Sequence, residues 1–305
     1  MRRRTWLLIL LSLVLLMWFF NVSRPGRRVS ACLDGCANGA PAADLGELRV
    51  VSLNILHGIP SFEHLDTRLD LLTTELRRLD ADIIALQEVP WRLGRVNLAA
   101  ELAKRLDMNY AYIRANGNRW AIGFEEGEAI LSRYPLRSVA YFEIKPQAGF
   151  FEHRVVLTAI LETAFGSLPV VATHLTHSNP QANQMQLAAL QAYVDGLPTP
   201  ALVMGDLNAR PDSAGIMTLA ADWVDSYPSA NPGQAGYTCC VDDLQADPET
   251  AFKTRIDYLF LVPDAEQKLT LASSQVIFGH PFQTPVGWLW ASDHGGLLTE
   301  FSIAP

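Results

Sequence analysis

The sequence predicts an α/β fold, a sandwich built on two sheets, and three observations carry that prediction. From Leu48 onward, strand-like and helix-like segments follow one another without a gap that would mark a second domain. Their order mixes βα alternation with runs of consecutive strands, which argues against one doubly wound sheet. The chain has 305 residues, 49% hydrophobic and 18% charged, which suits one large domain with a sizeable core. No internal repeat or low-complexity tract is present.

The amino terminus comes first. Met1-Arg-Arg-Arg precedes an uncharged run from Thr5 to Val22. At 1.5 Å per residue such a helix would be roughly 27 Å long, close to the hydrocarbon thickness of a bilayer. The run is long for a signal-peptide core and RPGRR follows it directly, so a retained membrane anchor over 1–28 is favoured over a cleaved signal peptide. Three arginines flank each end, and the domain is expected outside the cytoplasm because a short amino-terminal tail is easily left inside. Val29-Ser30-Ala31-Cys32 resembles a lipoprotein cleavage box, but the basic stretch separates it from the apolar run. Residues 29–46 are small, polar and Pro/Gly-bearing and read as linker, leaving 47–305 as the domain.

Within the domain, Leu48 to Ile55 reads as a buried strand. Leu65, Leu69, Leu72, Leu76 and Leu79 recur at helical spacing and predict a helix over 64–79. ADIIALQEV is a second strand, and Leu98, Leu102 and Leu106 mark a helix over 97–106. Strands are expected at 128–132, 138–144, 154–162, 168–174 and 201–206, with a helix over 181–195 whose apolar residues are Met185, Leu187, Leu190 and Val194. RIDYLFLV and LLTEFSI read as the last strands.

Charge narrows the function. Residues 29–305 carry 18 basic against 32 acidic side chains, a net of −14. Such a domain is repelled by polyanions at long range, which argues against non-specific nucleic-acid binding, although bound cations would reverse the sign locally. The four cysteines Cys32, Cys36, Cys239 and Cys240 match no structural zinc pattern. An even count permits disulfides in an exported chain, one from linker to domain among them.

Polar residues recur at the ends of the apolar strands, where an α/β scaffold is rigid and its loops are open. Asn54 ends LRVVSLN, and Glu88 ends DIIALQE, where a carboxylate must be solvated, paired or bound to metal. His174 ends a strand in LPVVATHLTH. In ALVMGDLNARP, Asp206 and Asn208 follow a glycine expected to let the backbone turn tightly, and their spacing puts a base and a donor on one side of an extended segment. Asp257 begins the apolar strand of RIDYLFL, with Arg255 on the same side. Asp293 and His294 in SDHGG pair a hard oxygen ligand with an imidazole that can hold charge near neutral pH.

In this order SLN, LQEV, the TH strand end, GDLN, RIDY and SDH, together with GEAILSRYPL, resemble the endonuclease/exonuclease/phosphatase superfamily over essentially the whole domain. The resemblance implies a four-layered α/β sandwich, two mixed β-sheets face to face flanked by helices. It implies a metal-dependent phosphoesterase in which Asn54, Glu88 and Asp293 hold Mg²⁺ or Mn²⁺ through hard oxygen atoms. Asp206 would orient and deprotonate the attacking water, and Asn208 would position that water or donate to a phosphoryl oxygen. His294, polarised by Asp257, and His174 would donate to the transition-state phosphoryl oxygens. Arg154 in FEHRVVL and His57 in SLNILHG are further candidates for contact with the phosphate. Thr238 stands where the family often carries a threonine, but Cys239 replaces the usual aromatic after it.

The shared motifs do not choose a substrate. The acidic domain and the apolar amino terminus favour a membrane-associated phosphodiesterase or phosphatase on lipid headgroups or small phosphoesters. An extracytoplasmic nuclease and a non-catalytic binding module are the alternatives. Loop 145–153 carries Phe150 and Phe151, expected exposed against lipid or substrate. The expected partners are the phosphoester substrate (lipid headgroup, small molecule or nucleic acid) and the membrane, with the chain as a monomer.

Overall fold

The computed structural model describes residues 2–37, 46–285 and 287–304. Among the described residues the strands are, in chain order, β1 (Ser30–Cys32), β2 (Glu47–Asn54), β3 (Ile83–Arg92), β4 (Asn109–Gly117), β5 (Phe124–Ser132), β6 (Leu136–Glu143), β7 (Val155–Thr163), β8 (Gly166–His174), β9 (Ala201–Asp206), β10 (Val224–Asp225), β11 (Asp257–Val262), β12 (Leu269–Ile277), β13 (Phe282–Thr284), β14 (Gly287–Leu289) and β15 (Gly296–Ile303). The helices are α1 (Arg2–Phe19), α2 (Leu65–Leu79), α3 (Leu98–Leu106), α4 (Arg119–Ile122), α5 (Pro180–Val194), α6 (Ala214–Asp222) and α7 (Ser226–Ala230).

One sheet runs β1-β4-β5-β3-β2-β15-β12 and the other β10-β11-β9-β8-β7-β6. Each is mixed: β2 and β3 are parallel in the first, β8 and β9 in the second, and the remaining pairs are antiparallel. The period of two along a strand sends alternate side chains to opposite faces. On β2, Leu48 and Val50 enter the core between the sheets, while Val51 and Leu53 pack with Leu69, Leu72 and Leu76 of α2. On β9, Leu202 and Met204 face the central core, while Ala201 and Val203 pack with Leu187, Leu190 and Val194 of α5. Helix, sheet, sheet and helix therefore form the four expected layers. β2, β8, β9 and β11 are covered on both faces, which is why these strands read as continuous apolar runs.

Three expectations are corrected. The segment expected to be linker begins with β1, an edge strand antiparallel to β4, and 38–45 lie outside the described residues. The cysteines pair locally, Cys32 with Cys36 and Cys239 with Cys240, so no bridge joins linker to domain and Cys32 has no free thiol to be lipidated. Among the described residues no helix is long and apolar enough to cross a membrane. The apolar run ends in contacts with the domain: Trp18 Nε1 donates to Ala121 O (3.0 Å), Phe19 stacks on Phe150, and Val22 and Ser23 are buried. The exposed stretch before these contacts, Trp6 to Met17, is roughly 18 Å long. Its large side chains are exposed, Leu10 at 60% and Met17 at 67%.

The inward face of β5 holds a surprise. Glu126 and Glu128 stand in the row of Ile130 and are almost completely buried, and among the described residues one oxygen of each has no hydrogen-bond partner. Burial, and then the nearby Glu126, pushes the Glu128 carboxyl well above its ordinary value. Raised in the fold, this group is a stability liability: the folded state binds its proton more tightly, so stability is lost as pH rises above the unfolded value near 4.5. Glu128→Gln is therefore expected to be more stable than the parent at pH 8 by about 1–3 kcal/mol, and much less so at pH 5. Urea unfolding at the two pH values checks this, and an equal difference at both would contradict it.

Candidate active site

Alternation along the strands places most of the site. The inward rows are apolar until the strands reach one rim of the sandwich, where a polar residue takes the next inward position. On β2, Asn54 continues the row of Leu48 and Val50; on β8, His174 continues Val170 and Ala172; on β9, Asp206 continues Leu202 and Met204. On β11, running the other way, Asp257 precedes Leu259 and Leu261. His174 pairs with Asp206 across the parallel β8–β9 ladder, and Asp206 with Asp257 across β9–β11.

Glu88 needs a special device. On β3 the inward parity belongs to Ile83, Ala85 and then Gln87. The register with β5 shifts between Leu86 and Val89, and Glu88 adopts a φ of 56°. This bulge carries the carboxylate to the cleft. A left-handed conformation at a non-glycine residue costs on the order of 1–3 kcal/mol and is characteristic of functional sites. Leu56 and Asn208, also at the rim, share it with φ of 53° and 49°. Gly205 does not form the tight turn expected of it. It lies inside β9, where a Cβ would come within 1.9 Å of Thr173 O, so its role is the close approach of two strands just before Asp206.

Glu88, His174, Asp206, Asn208 and His294 line a single cleft of about 770 Å³, together with the candidates His57 and Arg154. Asn54 and Asp257 are fully buried behind this surface. Asn54 Nδ2 donates to Glu88 Oε1 and to Asp206 Oδ2, both at 3.1 Å, and so links the two carboxylates. Asp206 Oδ1 accepts from Asn208 N (2.9 Å). Burial and the neighbouring Asp257 push the Asp206 carboxyl up to about 7. Glu88 behaves oppositely. Burial opposes its ionisation, but His57 and the Asn54 amide outweigh that and hold its pKa below the ordinary value. His57 Nε2 lies 3.5 Å from Glu88 Oε2.

The two histidines are in opposite states. Burial alone would discharge His294, but Asp257 Oδ2, 3.0 Å from its Nδ1, raises its pKa well above the ordinary value, with Asp206 and Asp293 adding to the effect. The result is an imidazolium whose Nε2 faces Asp206 Oδ2 at 3.8 Å. His174 is driven the other way, by burial and then by the Arg154 guanidinium, and is neutral. Its tautomer follows from Asn208. Asn208 Nδ2 donates to the carbonyl of Leu175 (3.0 Å), which fixes the amide, and its second hydrogen points at His174 Nε2 (2.9 Å). Nε2 therefore accepts and Nδ1 carries the proton. That buried N–H makes no hydrogen bond among the described residues, with Glu88 Oε1 4.0 Å away.

Arg154 is held by Glu152 (Nη2 to Oε1, 3.1 Å), which also accepts from the hydroxyls of Thr176 and Ser178. Asp293, one residue from His294, is raised by burial and then by the Glu88 charge. Two half-buried carboxylates that repel each other, flanked by an asparagine amide, are the hard-oxygen set a divalent cation requires. As oriented, the Asn54 amide bridges Glu88 and Asp206 through its nitrogen. Its oxygen accepts from Leu56 N (3.0 Å) and keeps a second lone pair, so Asn54, Glu88 and Asp293 have the donor chemistry of cation ligands. Asp206, Asp257 and His294 also lie close together. A cation there would first have to displace the proton that Asp257 holds on His294, which weakens binding. Cys239 and Cys240 are joined to each other and offer no thiolate.

Several residues at the site escape the sequence reading. Arg68 of α2 is completely buried behind it, donating through Nε to Ala291 O (2.8 Å) and through Nη2 to Leu56 O (3.0 Å) and Ile55 O. Burial lowers its pKa to about 10. The signal was its position, three residues after Leu65 and four before Leu72, on the apolar stripe. On α5, Asn183 and Gln186 are buried while the expected core residue Met185 is 54% exposed. Asn183 Nδ2 ties the carbonyls of Thr176 (2.7 Å) and Leu207 (2.8 Å), which locks the loops after β8 and β9. Thr238 Oγ1 accepts from the Ile256 and Asp257 amides, both at 3.3 Å. His177 and Cys240 also line the cleft. Arg255, expected beside Asp257, instead pairs with Asp225 (2.8 Å) away from the cleft.

A rim of acids and two histidines, one charged and one neutral, opening on one cleft, is the equipment of a phosphoester hydrolase. The sequence profile of the Endonuclease/Exonuclease/phosphatase family matches residues 51–294, and the chain belongs to that family. No curated protein matches the chain. Among solved structures it resembles a family member from Bacteroides thetaiotaomicron, with a TM-score of 0.68, 17% identity, and 85% of this chain and 98% of that one covered. It resembles a mannosyl-6-phosphatase of the same organism (TM-score 0.66, 19% identity, 83% and 99% covered). A humanized TDP2 from D. rerio is similar too (TM-score 0.62, 20% identity, 84% and 98% covered). At these identities the structural likeness establishes the fold, and the family match makes the chain a phosphoester hydrolase.

Proposed function

We propose that the chain hydrolyses phosphoesters of lipid headgroups or small molecules at a membrane surface, outside the cytoplasm, with Mg²⁺ or Mn²⁺ held by Asn54, Glu88 and Asp293. The observation that carries this reading is the convergence of Glu88, Asp206, His174 and His294 on one cleft. Bound beside Glu88, the cation would polarise a phosphoryl oxygen and offset its charge. The chain's own groups do the rest. Asp206, with a proton affinity near neutrality, takes a proton from the attacking water, and Asn208 holds the carboxylate through its backbone amide. Water adds to phosphorus, the P–O bond to the alcohol breaks, the departing alkoxide takes a proton from solvent, and Asp206 returns its proton to solvent. His294 Nε2 and His174 Nδ1 donate to the phosphoryl oxygens as their charge grows, and Arg154 and His57 are placed to contact the same group.

The membrane part rests on α1. An exposed apolar surface of its size is unfavourable in water and is stabilised by lipid. The two disulfides and the absence of free cysteines among the described residues support an oxidising compartment. The net charge of −14 on residues 29–305 disfavours nucleic acid.

The test uses the full chain in nanodiscs with sphingomyelin, phosphoinositides, a generic phosphodiester, plasmid DNA and RNA, each with Mg²⁺ and with excess chelator. Turnover of a lipid or small ester is expected, falling by about 10²-fold or more on chelation. Rapid nicking of the plasmid with the lipids untouched would replace this reading by the nuclease one. Turnover indifferent to chelator would remove the cation from it.

A further inference from the structure

The catalytic cleft is lined by more than its catalytic groups. Trp18 and Phe19 of α1, with Ile59, Ile122, Phe124 and Phe151, form an apolar wall in the same cavity as Asp206 and His294. Two of these come from the amino-terminal helix, which is fastened to the domain at that spot by specific bonds. Besides the Trp18 indole bond to Ala121, Asn118 Nδ2 donates to Asn21 O (2.9 Å), and Ser23 Oγ accepts from Gly117 N (3.2 Å) while donating to Phe151 O (3.3 Å). The rings of Phe19, Phe150 and Phe151 pack together at 4.8–5.9 Å between centroids. A mere tether would need none of these contacts.

We propose that the last turn of α1 is a wall of the substrate site and that the substrate carries an alkyl or acyl chain next to its phosphoester. This rests on the hydrolase reading above and deepens it. The phosphate lies among Glu88, Asp206, His174 and His294, and the chain runs outward across Phe151 and Phe19. Continuity selects this occupant over a separate docking partner: the apolar wall and the reacting centre share one cavity, and the wall leads directly onto the exposed apolar flank of α1. A substrate whose tail lies in lipid could therefore offer its phosphoester to the cleft without leaving the apolar phase. Every methylene buried against such a wall is worth up to about fourfold in binding.

The test uses the full chain in phosphatidylcholine nanodiscs with Mg²⁺. The substrates are methyl, butyl and octyl p-nitrophenyl phosphate as diesters and methyl and octyl phosphate as monoesters. The quantity read is the octyl-to-methyl ratio of kcat/KM within each variant, so a general loss of activity cancels. For the parent chain the ratio is expected to be on the order of 30-fold in whichever series is turned over. In Phe19→Ser and in Phe151→Ser it should fall several-fold. Partition of the octyl esters into the nanodisc is the same for all variants, so a ratio unchanged by both substitutions overturns the proposal, as does a parent ratio near one. No turnover of any ester, with Mg²⁺ or without, would instead sink the hydrolase reading on which the proposal stands.

Discussion

Asp206→Asn is expected to lower kcat by about 10³-fold or more while leaving the melting temperature near that of the parent. The carboxylate is 1% exposed, and its two oxygens accept from Asn208 N and Asn54 Nδ2. Those bonds aim it and do not neutralise it. What sets its proton affinity is burial and the neighbouring Asp257, which together push its pKa to about 7. A carboxylate near its ordinary value would bind the proton of water too weakly to help at neutral pH, and one raised much further would already be protonated. An asparagine keeps the shape and has no site for the proton. The measurement is kcat under saturating substrate and Mg²⁺, with melting followed in parallel. Retention of more than about a tenth of the parent rate in a folded variant would mean that another group accepts the proton.

How far the sequence could be read depends on which physical rule placed each element. Where a strand is covered on both faces, as β2, β8, β9 and β11 are, its apolar run is continuous and its end is marked by the first polar residue. Asn54, His174, Asp206 and Asp257 were legible for that reason. β4 and β12 were not, because NYAYIRANG and LTLASSQVI mix polar side chains into the pattern and carry no uninterrupted apolar run. β1 was read as linker because three residues at a sheet edge leave no periodic trace. Where a position departs from the local rule, the sequence misleads in an informative way. Arg68 and Gln186 occupy core-facing helix positions, and Glu126 and Glu128 core-facing strand positions, where an apolar residue is the default. The apolar amino terminus was read correctly as exceptional, but its length was assigned wholly to the bilayer. Folding assigns its last turn to the catalytic domain, which no hydropathy pattern can reveal.

Asp257 carries the second large effect, and it is the more discriminating. Asp257→Asn is expected to reduce kcat by on the order of 10³-fold, although this carboxylate lies behind the cleft wall and is placed to act only through its neighbours. Its Oδ2 lies 3.0 Å from His294 Nδ1, and its charge is the main force opposing the burial that would otherwise discharge the ring. With asparagine there, the amide oxygen still accepts from Nδ1–H, so the ring stays in place. It is neutral, however, and Nε2 has a lone pair where a donor is needed. Two routes of action are open, because Asp257 also raises Asp206. Double-mutant cycles separate them. If the positioning acts through His294, then Asp257→Asn made in a His294→Gln background should change kcat by less than about threefold, whereas in an Asp206→Asn background it should still matter. Full multiplicative loss with His294→Gln would show that the acid works on the base and not on the donor. In that case His294 would owe its place at the cleft to packing, and the transition-state charge would have to be met by His174 and Arg154 alone.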